Sequence, residues 1–384
     1  MNAVNALLSG LFLATVPLGA QTWTQTMANT NYYWYGIASS ADGSKLVATV
    51  GGEPGEGVYL STNYGLNWTQ SMTPSGVEGG WGPIVSSADG TRLAAANGYI
   101  YLSTNSGASW NPSGSPSELW TCLATSADGR KLIAAENPGY LTISTNFGAN
   151  WFVGTNEERT WSSVVCSADG SKMAAQYNGD DAVPWVSTNG GLTWRPATPV
   201  INQGGGLAAS ATGNILMMIS RGTLLLSTNW GTSWLPNIET PGNGTIVCSA
   251  DGSTALSFSG SSPGVYSSTN FGANWTSNSL PVESWTAVAC SADGKELVAM
   301  ATRPDAGIWI SQTMPAPQLN VSGSSNQINF SWVVPSTNMA LEQSPDLMNW
   351  AVLTNLPSLN DANLQEQLTL SPSNNTGFYR LVSQ

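Results

Sequence analysis

The feature that most restricts the fold is a repeated string. Ser-Thr-Asn-x-Gly-x-x-Trp occurs six times, at Ser61–Trp68, Ser103–Trp110, Ser144–Trp151, Ser187–Trp194, Ser227–Trp234 and Ser268–Trp275, with starts 40 to 43 residues apart. A single chain with that period is a stack of supersecondary units, because each unit is too small to bury its apolar face alone and must do so against its neighbours. A second string, Ser-Ala-Asp-Gly, begins at Ser40, Ser87, Ser126, Ser167, Ser249 and Ser291, with Ser210-Ala211-Thr212-Gly213 as a degenerate copy. Short apolar runs flank it, such as Ser162–Cys166 before one copy and Lys131–Ala135 after another. Asp-Gly between two such runs reads as the turn of a hairpin.

A third strand, as in Gly57–Leu60, leads into each Trp string, and a fourth leaves it, as in Trp68-Thr69-Gln70. Four short strands in roughly 42 residues make the blade of a β-propeller. Seven hairpins against six Trp strings leave the last blade incomplete: Trp285–Cys290, Glu296–Met300 and Gly307–Ile310 run into Ser311-Gln312-Thr313 with no closing Trp. Residues Thr22–Met27 match Asn67–Met72, the fourth strand of the first blade, and are expected to complete the seventh. Closure removes the strand edges that an open ring would leave unpaired. The expected fold class is therefore all-β, a seven-bladed β-propeller over residues 21–313 closed by its N-terminal strand. Met314-Pro315-Ala316-Pro317 reads as a linker, and residues 318–384 as a small β-sandwich with strands at Gln327–Val333, Met339–Glu342, Trp350–Leu353, Gln365–Leu370 and Gly377–Val382.

A net charge of −12 argues against nucleic acid or an anionic membrane surface as partner. The absence of histidine removes Ser-His-Asp and Cys-His nucleophile arrangements and histidine metal sites. The apolar run Ala6–Val16, followed by Pro17-Leu18-Gly19-Ala20, is too short to span a membrane and suits a secretory signal over residues 1–20, which places the protein outside the cytoplasm. Cys166, Cys248 and Cys290 share one repeat position and Cys122 lies three residues earlier in its own repeat. Equivalent side chains point the same way around a ring, so buried thiols are expected rather than disulfides. No spacing suits a metal, and neither metal nor cofactor is expected; the chain is expected to be a monomer.

The Trp string resembles the BNR or Asp-box repeat of sialidase-like propellers, Ser-x-Asp-x-Gly-x-x-Trp, with Asn63, Asn105, Asn146, Asn189, Asn229 and Asn270 in place of Asp. Over residues 22 to 313 the chain is similar to secreted bacterial BNR-like propellers, a class that includes the photosystem II assembly factor type. Leu341–Trp350 and Phe378–Leu381 resemble fibronectin-type-III-like modules. The box reads as a turn lock: an Asn oxygen accepts backbone N–H groups two residues on, and Gly at the fifth position takes a positive φ.

Both strings fall on one rim, so function is expected on the opposite one, where loops vary. Twelve carboxylates belong to that rim, among them Glu118, Glu136, Glu157, Glu158, Asp180 and Asp181, together with Arg159, Arg221 and Arg303. Trp34, Trp81, Trp120, Trp161 and Trp285 each stand six residues before a hairpin Ser, with Gly204 and Asn243 in the corresponding places of the fifth and sixth repeats. Two readings stand for these tryptophans: rings around a channel mouth that stack on a ligand, or packing between blades. The ligand-binding candidates are Trp34, Trp81, Trp120, Trp161, Trp285, Arg159, Arg221, Arg303, Glu157 and Asp180. The expected function is non-catalytic binding or scaffolding of a carbohydrate or protein ligand at that rim. The alternative, implied by the resemblance, is a sialidase-like glycoside hydrolase using carboxylates and an arginine cluster, for which Arg159, Arg221 and Arg303 are the available set.

Overall fold

In a computed structural model the described residues run from 23 to 383, apart from 27, 29–30, 53–56, 75–76, 78, 156, 180–181, 198–204, 221, 236–237, 241–243, 259–263, 279, 281–283, 303–306, 313–318, 325–326, 334–338, 346–347, 354–357, 361–364 and 371–377. The signal reading of residues 1–20, the linker at 314–317, and Asp180, Arg221 and Arg303 lie outside them. The chain divides after Gln312 into two compact units. All regular structure among the described residues is strand.

Among the described residues, the first unit shows seven four-stranded antiparallel sheets. The first pairs Trp34–Ser39, Leu46–Val50, Gly57–Ser61 and Thr69–Gln70 in sequence order. The last joins Ser284–Cys290, Glu296–Thr302 and Gly307–Gln312 to Trp23–Gln25 from the other end of the chain. Its register sets Thr24 opposite Ile310 and Gln25 opposite Trp309, as Thr69 opposes Leu60 and Gln70 opposes Tyr59 in the first sheet. Within the match read between residues 22–27 and 67–72, residues 24–26 thus pair as 69–71 do.

The alanines of the hairpin strings tie neighbouring sheets together. The N–H groups of Ala41, Ala88, Ala127, Ala168, Ala211 and Ala250 each donate to the carbonyl of the next alanine in the series, and Ala292 donates back to Ala41, all at 2.7–2.8 Å. The series closes on itself, and the degenerate string contributes Ala211 without its Asp. The link runs through backbone atoms, so the Thr212 substitution does not break it.

Burial follows position within a sheet. Second strands such as Leu46–Val50 and Met173–Tyr177 are buried along their whole length, because neighbouring sheets cover both faces. That is why they read as continuous apolar runs rather than alternating ones. Fourth strands are two or three residues long and largely exposed, as in Thr69–Gln70, Asn111–Pro112 and Arg195–Pro196. Short polar edges, with proline removing a free donor, block pairing with another chain.

The turns carry dense local bonding. In each box the Ser hydroxyl donates to the Asn oxygen and accepts the N–H of the Gly, as Ser144 does from Gly148 at 2.8 Å. The Asn oxygen takes the N–H four residues on, Asn150 to Asn146 at 2.9 Å, rather than two as expected from an Asx turn. The fourth box position is also left-handed, at Tyr64, Ser106, Phe147, Trp230 and Phe271 with φ of 53–60°. The Ser, the Asn and the Gly together hold these side chains where φ is positive.

In the hairpins Ser87 donates to Asp89 at 2.6 Å and Thr91 N–H to the same oxygen at 2.9 Å, and Ser167, Asp169 and Ser171 repeat the pattern. Those hydrogen bonds hold the Asp89 and Asp169 carboxyls down at about 2. A carboxyl whose folded pKa lies below its unfolded value stabilises above the unfolded value and loses that contribution as pH falls through the folded one. Stability is therefore expected to drop between pH 4 and 2. Ser87→Ala should raise the Asp89 pKa toward 3.8, read by carbonyl-detected NMR titration; an unchanged Asp89 midpoint would show that the serine is not the cause.

The second unit has a four-stranded sheet of Asn320–Ser324, Gln327–Val333, Gln365–Leu370 and Ser358–Asn360, and a three-stranded sheet of Ala351–Val352, Met339–Ser344 and Phe378–Ser383. Phe330 and Leu368 from the first and Leu341 from the second are buried in one cluster, so the two sheets share a core.

Candidate binding rim

The first strand of every repeat lines a central channel. The third residue before each hairpin Ser, from Ile37 and Ile84 to Ile246 and Val288, builds an aliphatic wall around a cavity of about 800 Å³. A second cavity of about 410 Å³ continues it toward the hairpin rim, past Ser39, Ser86, Thr125, Cys166, Cys248 and Cys290. The lining of both is uncharged. Among the described residues, no Asp, Glu, Lys or Arg lines the channel.

The tryptophans do not face the opening. Trp34, Trp81, Trp120, Trp161 and Trp285 are only 0–6% exposed, so the reading in which their rings stack on a ligand is corrected to packing. Four of them lean on aromatics of their own sheet: Trp34 on Tyr59, Trp81 on Tyr101 and Trp110, Trp161 on Tyr177 and Trp185, Trp285 on Trp309. Trp161 also donates from Nε1 to the Gly139 carbonyl of the preceding sheet at 3.0 Å. Gly204 and Asn243, in the corresponding places of the fifth and sixth repeats, lie outside the described residues, and the glycines that follow them lie against the second strand of their own sheet. A Cβ on Gly205 would lie 1.8 Å from the Ile219 oxygen, and one on Gly244 2.5 Å from the Phe258 oxygen.

What the rim does expose is tyrosine. Tyr33, Tyr35, Tyr99 and Tyr140 are 36–47% exposed and Leu119 is 79% exposed, all on the side opposite the hairpins in the first three repeats. Tyr35 reaches the channel mouth, and burial of its phenol, with a smaller contribution from Cys122, raises its pKa. The sequence does not single these residues out because they lack a fixed repeat position; their only signal is variability on a rigid frame.

Arg159 sits in the next repeat, bridged by its backbone to Gly139. Its guanidinium pairs with Glu157 at 3.1 Å and lies 4.3 Å from the Tyr177 ring centroid and 5.7 Å from that of Trp185. Stacked and paired in this way, it is a half-buried structural cation with one face to the rim. Nearby, burial and then the Glu118 charge raise the Glu136 pKa, with Glu158 adding to it. The carboxylates of this sector are thus close enough to repel one another.

The cysteines are free thiols on the channel wall. Burial pushes Cys122, Cys166 and Cys290 up to about 12 and raises Cys248 as well. They are neutral, as expected of small apolar side chains.

Four-stranded antiparallel sheets joined in a closed circuit around a channel define a β-propeller. The chain matches no family model, and no curated protein matches it. Among solved structures it is similar to YCF48 from Cyanidioschyzon merolae, with a TM-score of 0.59 and 12% identity over 76% of this chain and 99% of that one. It is likewise similar to a structure described as YCF48 bound to D1 peptide, with a TM-score of 0.57 and 11% identity over 77% of this chain and 97% of that one. At such identities the likeness establishes the β-propeller fold.

Proposed function

We propose that the chain is a secreted, seven-bladed propeller of the BNR-like type, carrying a C-terminal fibronectin-III-like sandwich and acting as a monomeric binding or scaffold protein for a cationic protein segment. The observation that carries this reading is the partition of charge and exposed aromatics between the two rims. By sequence, the hairpin side holds seven carboxylates and seven Lys or Arg, whereas the opposite side holds twelve carboxylates and three arginines, a net of −9. The exposed tyrosines and Leu119 stand on that acidic side. Tyrosine contributes contact area at low entropy cost, and a one-sign field steers an oppositely charged partner and selects against others. A propeller of similar fold is described as bound to a peptide, so such a frame can seat one.

Burial of the five tryptophans weakens the carbohydrate reading, which had rested on them as stacking platforms. The hydrolase reading needs a carboxylate pair and free arginines facing one point, whereas Arg159 is already engaged by Glu157 and Tyr177. Binding of a fluorescent lysine-rich peptide and its glutamate counterpart, at low and at physiological salt, tests the proposal. The lysine peptide should bind, and Glu118→Lys with Glu158→Lys should weaken it roughly fivefold, as expected for two rim charges. Tyr35→Ala and Tyr99→Ala should weaken it further. Equal affinity for the two peptides would sink the reading, and a glycan-array signal in their place would return it to carbohydrate.

A further inference from the structure

The residue five after each hairpin Ser runs over the turn of the next repeat. A Cβ added to Gly90, Gly129, Gly170 or Gly213 would meet the side chain of Lys45, Arg92, Lys131 or Lys172 at 2.6–2.8 Å. The same contact is made on Gly252 by Ile215 and on Gly294 by Thr254. In the four cationic cases the lane ends in a hydrogen bond. Lys45 donates to the Asp89 carbonyl at 2.9 Å, Arg92 to that of Asp128 at 2.6 Å, Lys131 to that of Asp169 at 2.9 Å and Lys172 to that of Gly213 at 3.0 Å.

At the seventh seam, where the last sheet meets the first, the lane is occupied by Glu296. Its Cγ would lie 2.6 Å from a Cβ on Gly43, the same relation that Lys45 has to Gly90. A carboxylate here cannot donate to the hairpin it crosses. Among the described residues, the charged or titratable groups near it are Asp293 and Lys295 on its own hairpin and, across the seam, the Tyr64 phenol and Asp42, which neighbours Gly43 and also acts on that phenol. Lys295 is drawn to Asp293 at 3.1 Å, and across the seam the Glu296 charge acts on the Tyr64 phenol. This is also the sheet that the N-terminal strand completes.

We propose that this seam is a pH-dependent latch: with Glu296 protonated the last and first sheets hold as firmly as the others, and with Glu296 ionised they part more readily. Burial, with Asp293 adding to it, raises this carboxyl from 4.5 to about 7. The sign follows from linkage. The closed seam binds the proton more tightly than the open one, so closure is strongest below the open-state pKa and weakens as pH rises through about 7.

Site-resolved hydrogen exchange on the full chain tests this at the two equivalent alanine links. The Ala292 N–H, which donates to Ala41 across the seventh seam, reports the latch, and the Ala88 N–H, which donates to Ala127 across the second, is the control. After correction for intrinsic rates, protection at Ala292 should fall roughly tenfold or more between pH 5 and 8 while that at Ala88 stays level. Glu296→Gln should abolish the pH dependence at Ala292, and Glu296→Lys should abolish it and restore protection at pH 8. If Glu296→Lys fails to fold, Glu296→Gln alone decides. A pH profile at Ala292 that is flat in the wild type, or unchanged in Glu296→Gln, overturns the proposal.

Discussion

Trp161→Ala is expected to cost about 3–5 kcal/mol of folding stability, the range for removing a fully buried tryptophan. Trp161 has no exposed surface, packs edge-on against Tyr177 and Trp185, and donates to the Gly139 carbonyl of the neighbouring sheet. Its loss opens a cavity at a seam, leaves that carbonyl without its donor, and frees the rings that Arg159 stacks upon. Urea unfolding at pH 7 would read the cost directly. Tyr99→Ala and Tyr140→Ala, at exposed rim positions, should stay within about 0.5 kcal/mol of the parent. A Trp161→Ala protein of near-parental stability that had lost ligand binding would reverse the assignment of that residue to packing.

Removal of residues 1–27 should have the larger effect. The truncated chain lacks the strand that pairs with Trp309, Ile310 and Ser311 and the Thr26 N–H that donates to Ile308 at 2.8 Å. Trp309 and Ile310 are each 4% exposed and would stand at an open, apolar sheet edge. Burial of two such side chains and one edge is worth on the order of 5 kcal/mol, a large share of the stability of an ordinary domain. The truncated protein should unfold at lower urea or aggregate on size-exclusion chromatography, and a synthetic peptide of residues 21–28 added in trans should restore a monodisperse species. Parental stability without the strand would show that closure comes from the alanine links alone.

The two experiments separate two kinds of information in the chain. Turn chemistry was legible because its causes are local: Ser, Asp or Asn and Gly at fixed offsets specify their own bonding, and counting seven hairpins against six boxes exposed a strand contributed from the other end. The left-handed backbone at Tyr64, Ser106, Phe147, Trp230 and Phe271 was not legible. Those residue types carry no sign of positive φ, and the conformation is imposed by the serine and asparagine around them. The direction of the tryptophans was undetermined for a related reason. A ring six residues before a hairpin can turn toward a channel or between sheets, and only the aromatics it meets decide.

The sequence by itself determined the unit, the number of hairpins, the closing strand and the side on which unrepeated charge collects, since each depends on spacing along the chain. Tertiary structure alone decided that the tryptophans are buried and the rim tyrosines exposed, that the channel wall is neutral, and that Glu296 lies over the Gly43 turn across the closing seam. Burial and pairing of that kind are properties of two repeats brought face to face, and no single repeat contains them.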